Sequence, residues 1–359
     1  MKTGKYIIWG GIFSLFIFLA GCQNAFKAQP AANPNQITIT DASGATVAIP
    51  ARIQRIADAW PAHNEVVCML GAGDKIVATT TAAAQRPWMK VVNPQMNQAV
   101  TAFDASGVNL ETLMAAKPDI VFTPLNNKSA RKIADVKIPV VQLMFNDFDS
   151  LKECFRLTGV ILGGEAKPRA EKYIAYLDHN LDRITGITAG IPREQKPKVI
   201  HITRLAPLMV DGKDTIIDAW IRVAGGINAA DTGGEVAMEQ LITWNPDVII
   251  FGNTALALNG VEDGAKALNN ILQDEKWRRL QAVQTGNVHI NPEGAFFWDR
   301  YGAEVALQIQ WAAKVLHPDK FQDIDIVQET RYFYRTFLHY DLSAAEASRI
   351  ISGKPPVRP

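Results

Sequence analysis

Along residues 167–187, KPRAEKYIAYLDHNLDRITGI, the apolar positions Ala170, Tyr173, Ile174, Leu177, Leu181 and Ile184 recur at steps of three and four. That spacing lines one face of an α-helix. Gly163-Gly164 before it and Gly190-Ile191-Pro192 after it mark its ends. At about 1.5 Å per residue the segment makes a rod roughly 30 Å long, a strut rather than a core element. On both sides short apolar runs alternate with helical ones, the order that predicts α/β units with parallel-type sheets. Residues 37–49 read as a hairpin, 55–60 as a strand running into a loop at 61–64, 65–70 as a helix and 75–79 as the next strand. Residues 80–106 have little periodicity and read as a long loop. A helix at 109–117, strands at 120–123 and 138–143 and a helix at 149–162 lead to the rod. After it come a strand at 199–203, a helix at 216–224, a helix and strand within 237–251, a strand at 288–290 and a helix from 301 to 316. Ser343-Ala344-Ala345-Glu346 is a capping box that opens the last helix.

The two flanks repeat one another. Asn109-Leu110-Glu111-Thr112-Leu113 through Pro118-Asp119-Ile120-Val121 aligns without gaps on Ala237-Met238-Glu239-Gln240-Leu241 through Pro246-Asp247-Val248-Ile249. Glu239 lies 128 residues after Glu111, and Leu241, Pro246 and Asp247 stand at the same offset from Leu113, Pro118 and Asp119. Gly71-Ala72-Gly73 and Gly225-Gly226 close a helix ahead of each copy. The chain therefore reads as two similar α/β lobes joined by a single long helix, with a ligand cleft between them. The division is residues 37–163, 164–190 and 191–359.

The first 36 residues differ in kind. Lys2 and Lys5 precede an apolar stretch that ends at Leu19-Ala20-Gly21-Cys22, the pattern of a lipoprotein signal whose Cys22 receives the lipid. Residues 23–36 are Ala, Asn, Gln and Pro with little to bury, the composition of a flexible tether. The expected location is the outer face of the cytoplasmic membrane, reached by export and held by the lipid. A net charge of +1 with no basic block excludes a nucleic-acid surface. Cys68 and Cys154 lie in helical patterns, as a disulfide pair or as buried thiols.

With these residues in view, the chain resembles the helical-backbone substrate-binding lipoproteins of ABC importers for iron-siderophore complexes, haem or cobalamin. The resemblance rests on residues 55–59 with 61–64, on Leu70-Gly71-Ala72-Gly73-Asp74-Lys75-Ile76-Val77, and on the two repeated Glu and Pro-Asp stretches. It implies a monomeric partner of a permease and, through it, of an ATPase. It also implies no resident cofactor, the metal chelate of iron, cobalt or nickel being cargo.

Ligands of parallel sheets gather beyond the carboxyl ends of the strands. In the first lobe this selects Trp60, His63, Thr80, Thr81 and residues 124–127, with Arg86 and Trp88 nearby; in the second it selects Arg204, Trp298, Arg300 and Tyr301. Arginine forks suit carboxylate or catecholate oxygens and aromatic faces cover flat ligand surface. His63, in the predicted cleft loop, is a candidate metal ligand. Glu111 and Glu239, each in a helical first turn, resemble the glutamate pair that meets permease arginines. Competing readings are a two-lobed enzyme, such as a metallochelatase or esterase, and a ligand-sensing lipoprotein. The sequence holds no Gly-x-Ser-x-Gly, no His-Glu-x-x-His and no phosphate-binding glycine loop.

Overall fold

The computed structural model describes residues 29–30, 33–252 and 264–357, so the signal segment and Cys22 lie outside the described residues. The first lobe is built on a six-stranded sheet of β4 (Ile56–Asp58), β5 (Ile76–Thr80), β6 (Val100–Asp104), β7 (Gly107–Val108), β8 (Ile120–Pro124) and β9 (Val140–Leu143). Their order is β7-β6-β5-β4-β8-β9, and all neighbours are parallel except β6 and β7. A small sheet of β1 (Gln29–Pro30), β2 (Gln36–Thr40) and β3 (Thr46–Pro50) precedes it. The expected tether is thus not free throughout, because Gln29–Pro30 pair with β2.

The second lobe repeats the plan. Central β10 (Lys198–Leu205) runs parallel to β14 (Val248–Phe251), which runs parallel to β15 (Val288–Ile290). On the far edge β11 (Leu208–Val210) and β13 (Gly234–Glu235) are antiparallel, and β12 (Ile227–Asn228) pairs with the start of β10.

The internal repeat extends to individual hydrogen bonds. In both lobes the helix of the repeated stretch, Leu110–Ala115 and Met238–Trp244, ends near a residue in the left-handed region, Lys117 at φ 46° and Asn245 at φ 43°. The next Asp then clamps the start of the central strand. Asp119 Oδ2 accepts from the Arg55 backbone N–H at 2.8 Å, and Asp247 Oδ2 accepts from that of Lys198 at 2.7 Å. The Arg55 guanidinium donates to the Ala116 carbonyl, and the Lys198 ammonium to that of Trp244. One turn chemistry orients both sheets.

The linking helix spans Ala166–Thr188. Ala170, Tyr173, Ile174, Leu177 and Ile184 are buried, so its face is part of a core continuous through both lobes and not a bare strut. Tyr173 donates to the Ala303 carbonyl at 2.8 Å. Residues 80–106, expected as a loop, form the short helices Thr81–Ala84 and Pro87–Val92 and then β6. Each helix is under two turns, too short for periodicity to appear. Cys68 and Cys154 are free thiols.

Candidate functional site

The strand ends of the first lobe open on a hollow of about 730 Å³. Its wall is formed by Thr80, Thr81, Gln85, Asn127 and Ser129 among others, hydroxyls and amides set in Ala, Pro and Phe103, with the carboxylate of Asp104 beside them. Thr80 closes β5 and caps the next helix, its hydroxyl accepting from the Ala83 N–H at 3.0 Å. Trp60 borders this side, half-buried, and stacks on Phe145 at 4.4 Å between centroids.

Three expected first-lobe ligand contacts are placed otherwise. The predicted loop at 61–64 is the first turn of the helix Pro61–Met69, because Pro61 takes the N1 position where no N–H is needed. His63 thereby turns inward and is fully buried. Its Nδ1 lies 2.8 Å from Asp58 Oδ2 and its Nε2 lies 2.9 Å from Thr158 Oγ1, so neither ring nitrogen is open to a metal. Burial favours the neutral ring, but the Asp58 carboxylate outweighs it and lifts His63 to about 10. An imidazolium holds no metal. Trp88 is buried and its indole N–H donates to the Lys354 carbonyl, tying the C-terminal segment to the first lobe. Arg86 reaches the other lobe but is engaged there. Its Nη1 is 3.2 Å from Glu293 Oε1, and the guanidinium lies over Phe297 at 3.7 Å and Phe296 at 4.5 Å.

In the second lobe the strand ends carry charge. Arg204, near the end of β10, is exposed; Arg300 and Tyr301 are half-buried. Trp298 is fully buried, with its indole N–H on Glu304 Oε1 at 3.1 Å, and belongs to the core instead of the cleft surface.

Sequence reasoning missed His201, a buried position between Ile200 and Ile202 of β10. Its Nδ1 is 2.7 Å from Asp211 Oδ2 and its Nε2 is 2.9 Å from Asp299 Oδ2. Burial opposes the charge, but these two carboxylates hold the ring up to about 8. A Cβ at Gly252, just after β14, would come within 2.8 Å of Asp299 Oδ2, so the close approach requires glycine. The buried ion pair fixes the loop that presents Arg300 and Tyr301. Glu111 and Glu239 are exposed in the first turns of matching helices.

Hydroxyls, amides and one carboxylate, Asp104, line the first-lobe hollow, and Arg204 and Arg300 stand on the second lobe, donors and acceptors suited to binding a small molecule. Comparisons with known proteins agree with such a binder. Residues 57–294 match the model of the periplasmic binding protein family. YvrC, an ABC transporter substrate-binding lipoprotein of Bacillus subtilis, is 26% identical over 88% of this chain and 98% of its own length. The molybdate-binding protein MolA of Haemophilus influenzae is 24% identical over 87% of this chain and 93% of its own. Among solved structures, a periplasmic solute binding protein of Veillonella parvula superposes with a TM-score of 0.76 at 26% identity, covering 89% of this chain and 97% of that one. The chain belongs to the periplasmic binding protein family, the two-lobed substrate-binding proteins of ABC importers.

Proposed function

We propose that this protein captures a bulky anionic metal chelate between its lobes and delivers it to an ABC importer permease, with a ferric siderophore first in order, then haem, cobalamin and nickel or cobalt chelates. The carrying observation is a roomy hollow around Thr80, Thr81 and Asn127, with Asp104 its one charged lining residue, together with Arg204 and Arg300 on the opposite lobe. Arginine forks bind chelate carboxylates or phenolates, and the hydroxyls and amides take neutral edges. A second reading, a small metal oxyanion, is favoured by the likeness to a molybdate-binding protein. A hollow of about 730 Å³ on one wall alone weighs toward the larger cargo. A relative named as cobalamin-binding, 23% identical over 71% of this chain, points the same way.

Cys22 supplies the membrane anchor, and Glu111 with Glu239 supplies the contact to the permease. This is transport chemistry and requires no catalytic group. Titration of a panel of ferric siderophores, haem, cobalamin, nickel and cobalt chelates and molybdate, followed by tryptophan fluorescence, tests the cargo. Saturable quenching by one metal-loaded chelate and none by its metal-free form is expected; binding of molybdate alone selects the second reading. In cells, Glu111→Ala with Glu239→Ala is expected to abolish uptake while leaving affinity intact. Lost affinity in that variant would place the glutamates in the cleft.

A further inference from the structure

Behind the cleft, three glutamates and one arginine meet where the lobes touch. Glu65, on the helix Pro61–Met69 of the first lobe, is fully buried and accepts from the Ala303 N–H of the second lobe at 3.0 Å through Oε2. Its Oε1 has no hydrogen-bond partner among the described residues. Glu304, the next residue after Ala303, is also fully buried and accepts from Phe296 N–H, Trp298 Nε1 and the Tyr334 hydroxyl at 2.7, 3.1 and 2.6 Å. A Cβ at Gly294 would come within 2.1 Å of both Glu304 Oε1 and the Tyr334 oxygen, so the packing there leaves no slack. Glu293, a quarter exposed, pairs with Arg86 across the same boundary.

Three carboxylates therefore face one guanidinium in a mostly dry place. Ionised carboxylates so buried neutralise by taking up protons unless each is paired. The surrounding groups do not supply the missing charge. Tyr173 from the linking helix and Tyr334 from the C-terminal segment are neutral phenols, burial holding each well above its ordinary value. Cys68, on the same helix as Glu65, is a neutral thiol pushed up to about 12 by burial. Asp299 adds negative charge: burial opposes it, but His201 holds it ionised below the usual range. His201 is itself taken by Asp299 and Asp211.

We propose that this boundary is a proton-operated latch, in which protons held by Glu65 and Glu304 keep the lobes together and their loss to water on alkalinisation loosens them, Glu293 remaining the partner of Arg86. Burial lifts Glu304 to about 7 and raises Glu65 well above its ordinary value, the repulsion from Glu304 adding to it. Both shifts are upward. The closed boundary thus binds protons that free glutamates release above about pH 4.5, and the stabilisation is lost as pH rises through about 7. Once ionised, Glu65 and Glu304 repel across the lobe boundary with Arg86 already committed to Glu293. The device is independent of which cargo binds.

The test uses the full-length chain in detergent micelles without cargo, spin-labelled through unnatural residues at exposed Lys128 and Glu235, one per lobe. Between about pH 5.5 and about pH 8.5 the interlobe distance should lengthen or broaden with a midpoint near neutrality. Glu65→Gln, a neutral isostere that still accepts from Ala303, should lose most of that change. An unchanged distance in the natural protein, or the full change in Glu65→Gln, would overturn the proposal. Should that variant fail to fold, infrared difference spectra of the natural protein decide. Loss of a protonated-carboxyl band across the same range supports the latch, and no such band contradicts it.

Discussion

In the first lobe the central strand ends on Asp58, which takes the His63 imidazole from the helix that follows; in the second the central strand carries His201 at its middle, which takes carboxylates from two loops. The positions correspond. Asp58 pairs in register with Phe122 and His201 with Ile250, partners separated by the same 128 residues as the repeated glutamates. One scaffold thus carries the same pair of charges with the partners exchanged. In the first lobe the ion pair is consumed inside the fold, and the wall beyond it carries hydroxyls, amides and Asp104. In the second it lies under Arg300 and Tyr301 and leaves a cationic one. The repeat supplies the frame, and the two lobes differ in the charge that their loops present.

The largest test of this contrast is Asp58→Ala, which leaves a buried imidazolium without its carboxylate. It should cost about 3–5 kcal/mol in urea unfolding. Asp211→Ala should cost about 1–2 kcal/mol, because His201 retains Asp299 and Asp211 is partly exposed. Equal losses would break the comparison. The pH dependence separates the pairs too. Both histidines are raised above their ordinary 6.5, so each contributes stability that is complete below 6.5 and is lost as pH rises toward its folded value. For His201 the loss is complete near 8 and for His63 near 10. Urea midpoints measured up to about pH 10 should therefore fall in two stages, and His201→Gln should remove the earlier one.

Trp298→Phe strips a donor from buried Glu304 and should cost about 1–3 kcal/mol by thermal or urea unfolding. Trp88→Phe loses only its bond to the Lys354 carbonyl and should cost about 1 kcal/mol. The smallest effect is expected at the two left-handed turns. Lys117→Gly should stabilise by less than about 1 kcal/mol, and Asn245→Gly by less again, since asparagine tolerates that conformation better than lysine.

Much of the frame was legible. The three- and four-residue spacing located the linking helix to within a residue at each end, and the Ser343 capping box opens the last helix as expected. The repeated Pro-Asp stretches pointed to two lobes, and the structure gives their reason in the strand clamps. The site was less legible because its chemistry depends on facing. Pro61-Ala62-His63-Asn64 has the composition of a loop, yet proline at N1 starts a helix and turns His63 inward. Trp88 and Trp298 have the look of ligand-facing aromatics until their indoles are seen bonded within the core. Glu65 and Glu304 drew no notice, although a lone glutamate in the apolar stretch Tyr301-Gly302-Ala303-Glu304-Val305-Ala306-Leu307 is itself a sign of a buried, partnered carboxyl.

The central claim is that cargo is held between the lobes by contacts from both walls, without a protein ligand to its metal. Crystals grown with the chelate that titration selects, measured at that metal's absorption edge, locate the metal atom directly. A single anomalous peak between Thr80-Thr81 on one side and Arg204 with Arg300 on the other, out of reach of His63, is the predicted result. A peak on one lobe alone, or one bonded to a side chain of the protein, would contradict it.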